Sequence, residues 1–157
     1  MRTIFILLFV FSTIVTLAKN KGSKVDLNND TVTVDNKPVF VLEKHKEGTM
    51  SDYYVVDLNG NKLMFLKANF YVKEFKLNPT NTRPPSLPTY KTVAYFEITF
   101  LESKQKTEIR HYIQSSLAKF LVKSGLIADG KIVKDIEEEF ILENGNRFSE
   151  ERKYYQQ

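Results

Sequence analysis

Few residue types in this chain could do chemistry: two histidines, a strand-borne glutamate, an acidic triplet and an aspartate-rich turn. His45 lies between Lys44 and Lys46, and His111 between Arg110 and Tyr112. Cationic neighbours disfavour a further positive charge and discourage metal binding. Glu97 sits inside an apolar run and would need a second carboxylate from elsewhere in the fold to act as an acid–base pair. Solvation at the edge of a sheet is a sufficient account of it and is preferred to catalysis. Glu137, Glu138 and Glu139 are consecutive, so on a helix they point in different directions and cannot converge on one metal. They read as a solvated face. Asp57-Leu58-Asn59-Gly60-Asn61 has the look of a calcium loop. It lacks the alternating ligand series and the bidentate glutamate at the twelfth position, and turn chemistry explains it.

The chain has no cysteine. Disulfides, thiolate zinc sites, thiol nucleophiles and lipidation at an N-terminal cysteine are thereby excluded. No nucleophile elbow, HExxH pair, phosphate-binding loop or dinucleotide fingerprint occurs. No catalytic, cofactor-binding or metal-binding residues are assigned, and the residues point away from an enzyme.

The elements that would position any site centre on Thr92 to Ile127. Val93 to Leu101 alternates with period two, Ala94, Phe96, Ile98 and Phe100 on one face and Val93, Tyr95, Glu97, Thr99 and Leu101 on the other. After the polar turn Glu102–Gln105, Lys106 to Tyr112 can return as a partner strand. The period then becomes helical, with Ile113, Leu117, Phe120, Leu121 and Ile127 on one side and Gln114, Lys119 and Lys123 on the other. Gly125 stands where a helix ends. The helix is expected to cover the Phe96/Ile98/Phe100 face.

Two hairpins precede this unit, one turning at Asn36-Lys37 and one at Asn59-Gly60, the strongest turn signal in the chain and read as type I′. Residues 78–88 hold four of the five prolines and read as a stiff connector; Arg83 to Pro88 also has the look of a polyproline ligand. Beyond the turn Leu126–Gly130, a second helix carries Ile132, Val133, Ile136, Phe140 and Ile141 on one side, with Lys134 and Glu138 placed to pair.

Residues 1–18 read as a cleavable signal peptide: Arg2, an apolar run from Ile4 to Leu17, and small residues at Thr16 and Ala18. The run is short for a membrane span, which needs about 20 apolar residues. Cleavage between Ala18 and Lys19 would leave 139 residues, enough for one domain without staples, and no membrane span. Loss of Arg2 lowers the net charge from +4 to +3, too mild and too interspersed for a nucleic-acid partner. Residues 19–30 read as a flexible leader, 31–148 as a single α+β domain and 149–157 as a short terminal helix or tail.

Thr33 to Phe40, Tyr54 to Leu63, Tyr95 to Ser103 and Leu117 to Lys131 resemble the paired strands and helix of uncharacterised secreted proteins common in Gram-negative bacteria. The resemblance covers most of the mature chain and implies export to the periplasm or beyond. It carries no activity.

The expected architecture is an antiparallel sheet of about six strands in a hairpin meander, followed by two to three C-terminal helices packed on one face. The sheet face opposite the first helix carries Tyr95, with Phe65 and Tyr71 of matching parity on the preceding hairpin. If exposed, those rings would bind a small ligand or a protein; if the sheet closes on itself, they are core. The expected function is a non-enzymatic exported binding or interaction protein. The alternatives are a carboxylate-dependent enzyme and a structural component of an envelope assembly.

Overall fold

The computed structural model describes residues 23–47, 50–75 and 89–155. The expected signal segment, its cleavage site and the proline-rich stretch 78–88 lie outside the described residues.

Short polar turns set the topology. At Asn29-Asp30 and again at Asp35-Asn36, both residues have positive φ (46° and 64°; 51° and 64°). Two successive left-handed residues make a type I′ turn, whose twist matches that of the flanking strands. These turns join β1 (Val25–Asn28), β2 (Thr31–Val34) and β3 (Lys37–Glu47). The expected leader 19–30 therefore contains a strand from residue 25. Its pattern, Val25 and Leu27 against Asp26 and Asn28, spans four residues and is too short to stand out without its partner strand.

β4 (Met50–Val56), β5 (Lys62–Phe75), β6 (Thr89–Phe100) and β7 (Lys106–Arg110) complete a seven-stranded antiparallel meander. The α+β meander is as expected, with one strand more. The β4–β5 turn differs from the expected type I′. Only Gly60 has positive φ (90°), and Gly60 N–H donates to the Asp57 carbonyl. This is a three-residue loop closed by a left-handed glycine. Asp57 Oδ1 accepts the N–H groups of Asn59 (2.9 Å) and Asn61 (2.7 Å), and Oδ2 accepts Asn61 Nδ2. These bonds hold the Asp57 carboxyl below its ordinary range, the Asn61 side chain contributing most.

The helices are α1 (Gln114–Lys123), α2 (Lys134–Asn144) and α3 (Arg147–Tyr155), with the small hairpin of β8 (Ile127–Ala128) and β9 (Lys131–Ile132) between the first two. Phe96, Ile98 and Phe100 share one buried cluster with Leu117, Ala118, Leu121 and Phe140. Each buried phenylalanine there contributes roughly 1.5–3 kcal/mol. The stripe on α1 is narrower than its sequence period suggests. Ile113 caps the helix and is 69% exposed, Ile127 belongs to β8, and Ala118 and Val122 are buried instead. Phe120 is half-buried and bridges toward α2, between Tyr112 (5.1 Å) and Phe140 (5.9 Å).

The sheet curls so that β1 reaches α1. Gln114, expected on the solvated side, donates through Nε2 to Asp30 Oδ1 (2.6 Å) and to the Leu42 carbonyl (3.1 Å). A hydrogen bond across 84 positions leaves no local trace in sequence. On α2, Glu137 is buried and accepts from Ser103 Oγ, so the acidic triplet is not wholly solvated. Lys134 pairs with Glu102 (3.3 Å), not with Glu138.

Candidate functional site

Unequal strand lengths make the most distinctive feature. β4 pairs with β5 only as far as Tyr53↔Leu66, and β7 pairs with β6 only as far as Arg110↔Tyr95. Asp52 Oδ1 accepts the Ala68 N–H (2.7 Å) where β4 parts from β5. Beyond that point Phe70–Phe75 and Thr89–Ala94 pair with each other and, among the described residues, with no further strand, forming a two-stranded arm that projects from the sheet. Side chains alternate across it. One face carries Tyr71, Lys73 and Val93; the other carries Phe70, Val72 and Tyr90.

α3 lies on the first of these faces, opposite α1. Tyr71 and Tyr95 are each only 2% exposed and form a second apolar cluster with Phe148 of α3 and half-buried Val93. The Tyr95 and Phe148 rings stack at 5.3 Å and 11°, and Tyr155 stacks on Tyr71 at 6.3 Å and 16°. The C-terminal helices are thus divided between the two faces. Of the stretch expected as a short terminal helix or tail, Ser149 to Tyr155 belongs to α3 and adds Glu151 and Tyr155 to the cover that Phe148 begins.

Carboxylates fasten α3 at two points. Glu108 on β7 is buried and accepts the N–H groups of Phe148 (2.8 Å) and Ser149 (2.9 Å), the unpaired donors of the helix start. An anion there also complements the helix dipole. Glu151 on α3 accepts from Tyr71 Oη and, at 2.6 Å, from Lys73 Nζ. Hydrogen bonds from Lys73 and Tyr71 hold the Glu151 carboxyl below its ordinary range. Burial, and then Glu151, push the Tyr71 hydroxyl above the ordinary phenolic range.

The three sequence-predicted ring positions are therefore not one continuous surface. Tyr71 and Tyr95 meet in edge contact (6.2 Å) beneath α3. Phe65, on the same sheet face, is half-buried in a separate group with Tyr54 (4.7 Å), which His45 meets edge-on and Lys62 Nζ approaches to 3.7 Å from the ring centre. The expected closure of this face by sheet curling is replaced by closure under a helix.

The potential acid–base groups are committed to the fold. Glu97 lies directly across from Glu108, yet it pairs with Lys106 (2.9 Å) while Glu108 caps α3. His111 is half-buried against Phe96 (4.7 Å, 24°), and burial lowers its pKa. Among the described residues no group of three or more histidine and acidic side chains is placed to hold a metal. A cleft of about 630 Å³ lies where three turns meet, with Val34, Pro38, Val39 and Leu58 as apolar lining and Lys37 and Lys131 as basic lining. Two of its aspartates hold turns: Asp35 accepts the Lys24 N–H and Asp57 the amides of its own loop.

The other arm face is open. Phe70 is 51%, Val72 48% and Tyr90 65% exposed. Their parity matches that of the core face, so local pattern does not set them apart. The length of the run was the available signal: β5 has 14 residues and β4 has seven, so half of β5 must outrun its neighbour.

Compared with protein families, curated proteins and solved structures, the chain matches none.

Proposed function

We propose that the chain is an exported, non-enzymatic binding protein that engages a protein partner through the open face of its β5–β6 arm. The carrying observation is the grouping of Phe70, Val72 and Tyr90, all about half exposed or more, on a two-stranded projection. Exposed apolar side chains gathered on one surface are typical of interaction sites. Strands without a further neighbour also offer backbone donors and acceptors to an incoming strand. Export rests on the signal-like composition of residues 1–18 and implies a partner in the periplasm or outside the cell.

The test is a photo-crosslinking residue at position 72, introduced into the full chain in intact cells, alone and with Phe70→Ser/Tyr90→Ser. A discrete adduct that disappears in the double variant is the expected result, with stability changed by under about 0.5 kcal/mol per site. Absence of any adduct, or the same adduct in the double variant, overturns the arm as the interaction face. Intact mass of the exported protein should correspond to a chain beginning at Lys19.

A further inference from the structure

α3 differs from the other covering helices in how it is held. It has nine residues, a length at which isolated helices are marginal, and Phe148 is its one buried residue. Its two polar attachments run in opposite directions, and both depend on a carboxylate. Glu108 reaches from β7 to the helix N–H groups, and Glu151 reaches from the helix to Tyr71 and Lys73 of β5.

The link to α2 is Gly145-Asn146. Gly145 stands at φ 56° and ψ −146°, outside the helical region and in backbone space that glycine occupies readily. Its carbonyl accepts the Glu108 N–H (2.9 Å) and Thr107 Oγ1 (3.1 Å). The start of the link is thereby pinned to β7 independently of the carboxylates, and α3 beyond it can pivot.

We infer that α3 is a carboxylate-latched cover: acidification releases it as a unit about the Gly145 pin and uncovers the Tyr71/Tyr95 strip while the α1–α2 core stays folded. Protonation of Glu151 removes the charge that Lys73 Nζ and Tyr71 Oη donate to. Glu108 supplies the anion facing the helix start. Charge-assisted bonds of this kind are about twice as strong as neutral ones, so a neutral side chain at either position weakens its attachment.

The surrounding groups set the range. Glu151 is faced by Tyr71 and Lys73 from β5 and by Arg147 from α3 itself, with Tyr155 of α3 and Tyr95 of β6 beside Tyr71. Across from Glu108 stands Glu97, paired with Lys106. Because the Glu151 carboxyl is held below its ordinary range in the folded protein, its contribution is complete above the ordinary carboxylate pKa of about 4.3. It is lost as pH falls through the lowered folded value.

The test is backbone hydrogen exchange on the full mature chain from pH 7 to pH 3, corrected for intrinsic rates, with Glu108→Gln/Glu151→Gln alongside. In the parent, protection across 147–155 should fall on the order of tenfold or more on acidification, while 95–100 and 114–123 keep theirs. The double variant, which mimics the two protonated acids, should show the open α3 already at pH 7 and little further change below it. Loss of α3 protection only together with the core overturns the inference. So does a double variant that keeps α3 closed at pH 7 or retains the steep acid response. Should the double variant not fold, Glu151→Gln alone decides: it must open α3 at neutral pH relative to the parent.

Discussion

The two faces of β6 are covered by different means. Phe96, Ile98 and Phe100 meet α1, a helix that follows within a few residues of β7 and buries four aliphatic side chains. Tyr95 and Val93 meet α3, which arrives from the end of the chain and brings one buried phenylalanine with two carboxylate clasps. Apolar burial is insensitive to pH and adds with area. Clasps made by a few charged acceptors are directional and strong while charged, and they weaken when the acceptor loses its charge. The first face is a core; the second is a seam. A strand can carry both because its side chains alternate, so each face is free to find a different partner.

Truncating a ring on each face separates these readings. Phe96→Ala should destabilise the protein by about 3–5 kcal/mol, because the ring is fully buried between Tyr53 and His111 in the main cluster. Chemical denaturation should show a lower midpoint with the slope unchanged. Phe148→Ala removes a ring of equal size, yet should cost only about 1–3 kcal/mol of global stability, since α3 can leave without opening the core. If the two losses are equal, α3 is as integral as α1 and the distinction between core and seam falls.

A turn belonging to neither face gives a control of intermediate size. Gly60→Val places a β-branched residue at φ 90°, with open space around its Cβ, and should cost about 1–3 kcal/mol through backbone strain alone. An unchanged melting temperature would mean that the β4–β5 loop relaxes to another turn.

The smallest expected effect is a pH slope on the core side. Burial lowers the His111 pKa, so the unfolded chain binds the proton more tightly than the folded one. Its contribution to stability is complete above about pH 6.5 and declines as pH falls below that value. Stability measured between pH 7.5 and 5.5 should therefore decrease on acidification, and His111→Asn should flatten the slope. A steeper slope in the variant would place the titrating group elsewhere, closer to the seam.

Local pattern determined a large part of this protein. Period-two alternation in Val93–Leu101 and the helical recurrence of Leu117 and Leu121 identified the main core, because each rests on a side chain's position within a few residues of its own backbone. Gly125 was legible as a helix end because its φ of 71° suits a residue without Cβ. Asn59-Gly60 announced a turn, though its type was decided by Asp57, whose carboxylate binds three amide donors and favours a longer loop. The parity of Tyr71 and Tyr95 was likewise legible, and it set them on one face opposite the core.

What covered that face depended on contacts across long stretches of chain. Glu108 meets Phe148 across 40 positions and Tyr71 meets Glu151 across 80, and neither member of either pair carries a mark of the other. The arm was decided in the same way: Phe70 and Val72 have the spacing of core residues, and they stand in solvent because β4 ends before reaching them. Sequence period determines which side chains share a face. Whether that face is core, seam or open surface is set by where distant elements stop, since burial is a property of the packed chain and not of the strand.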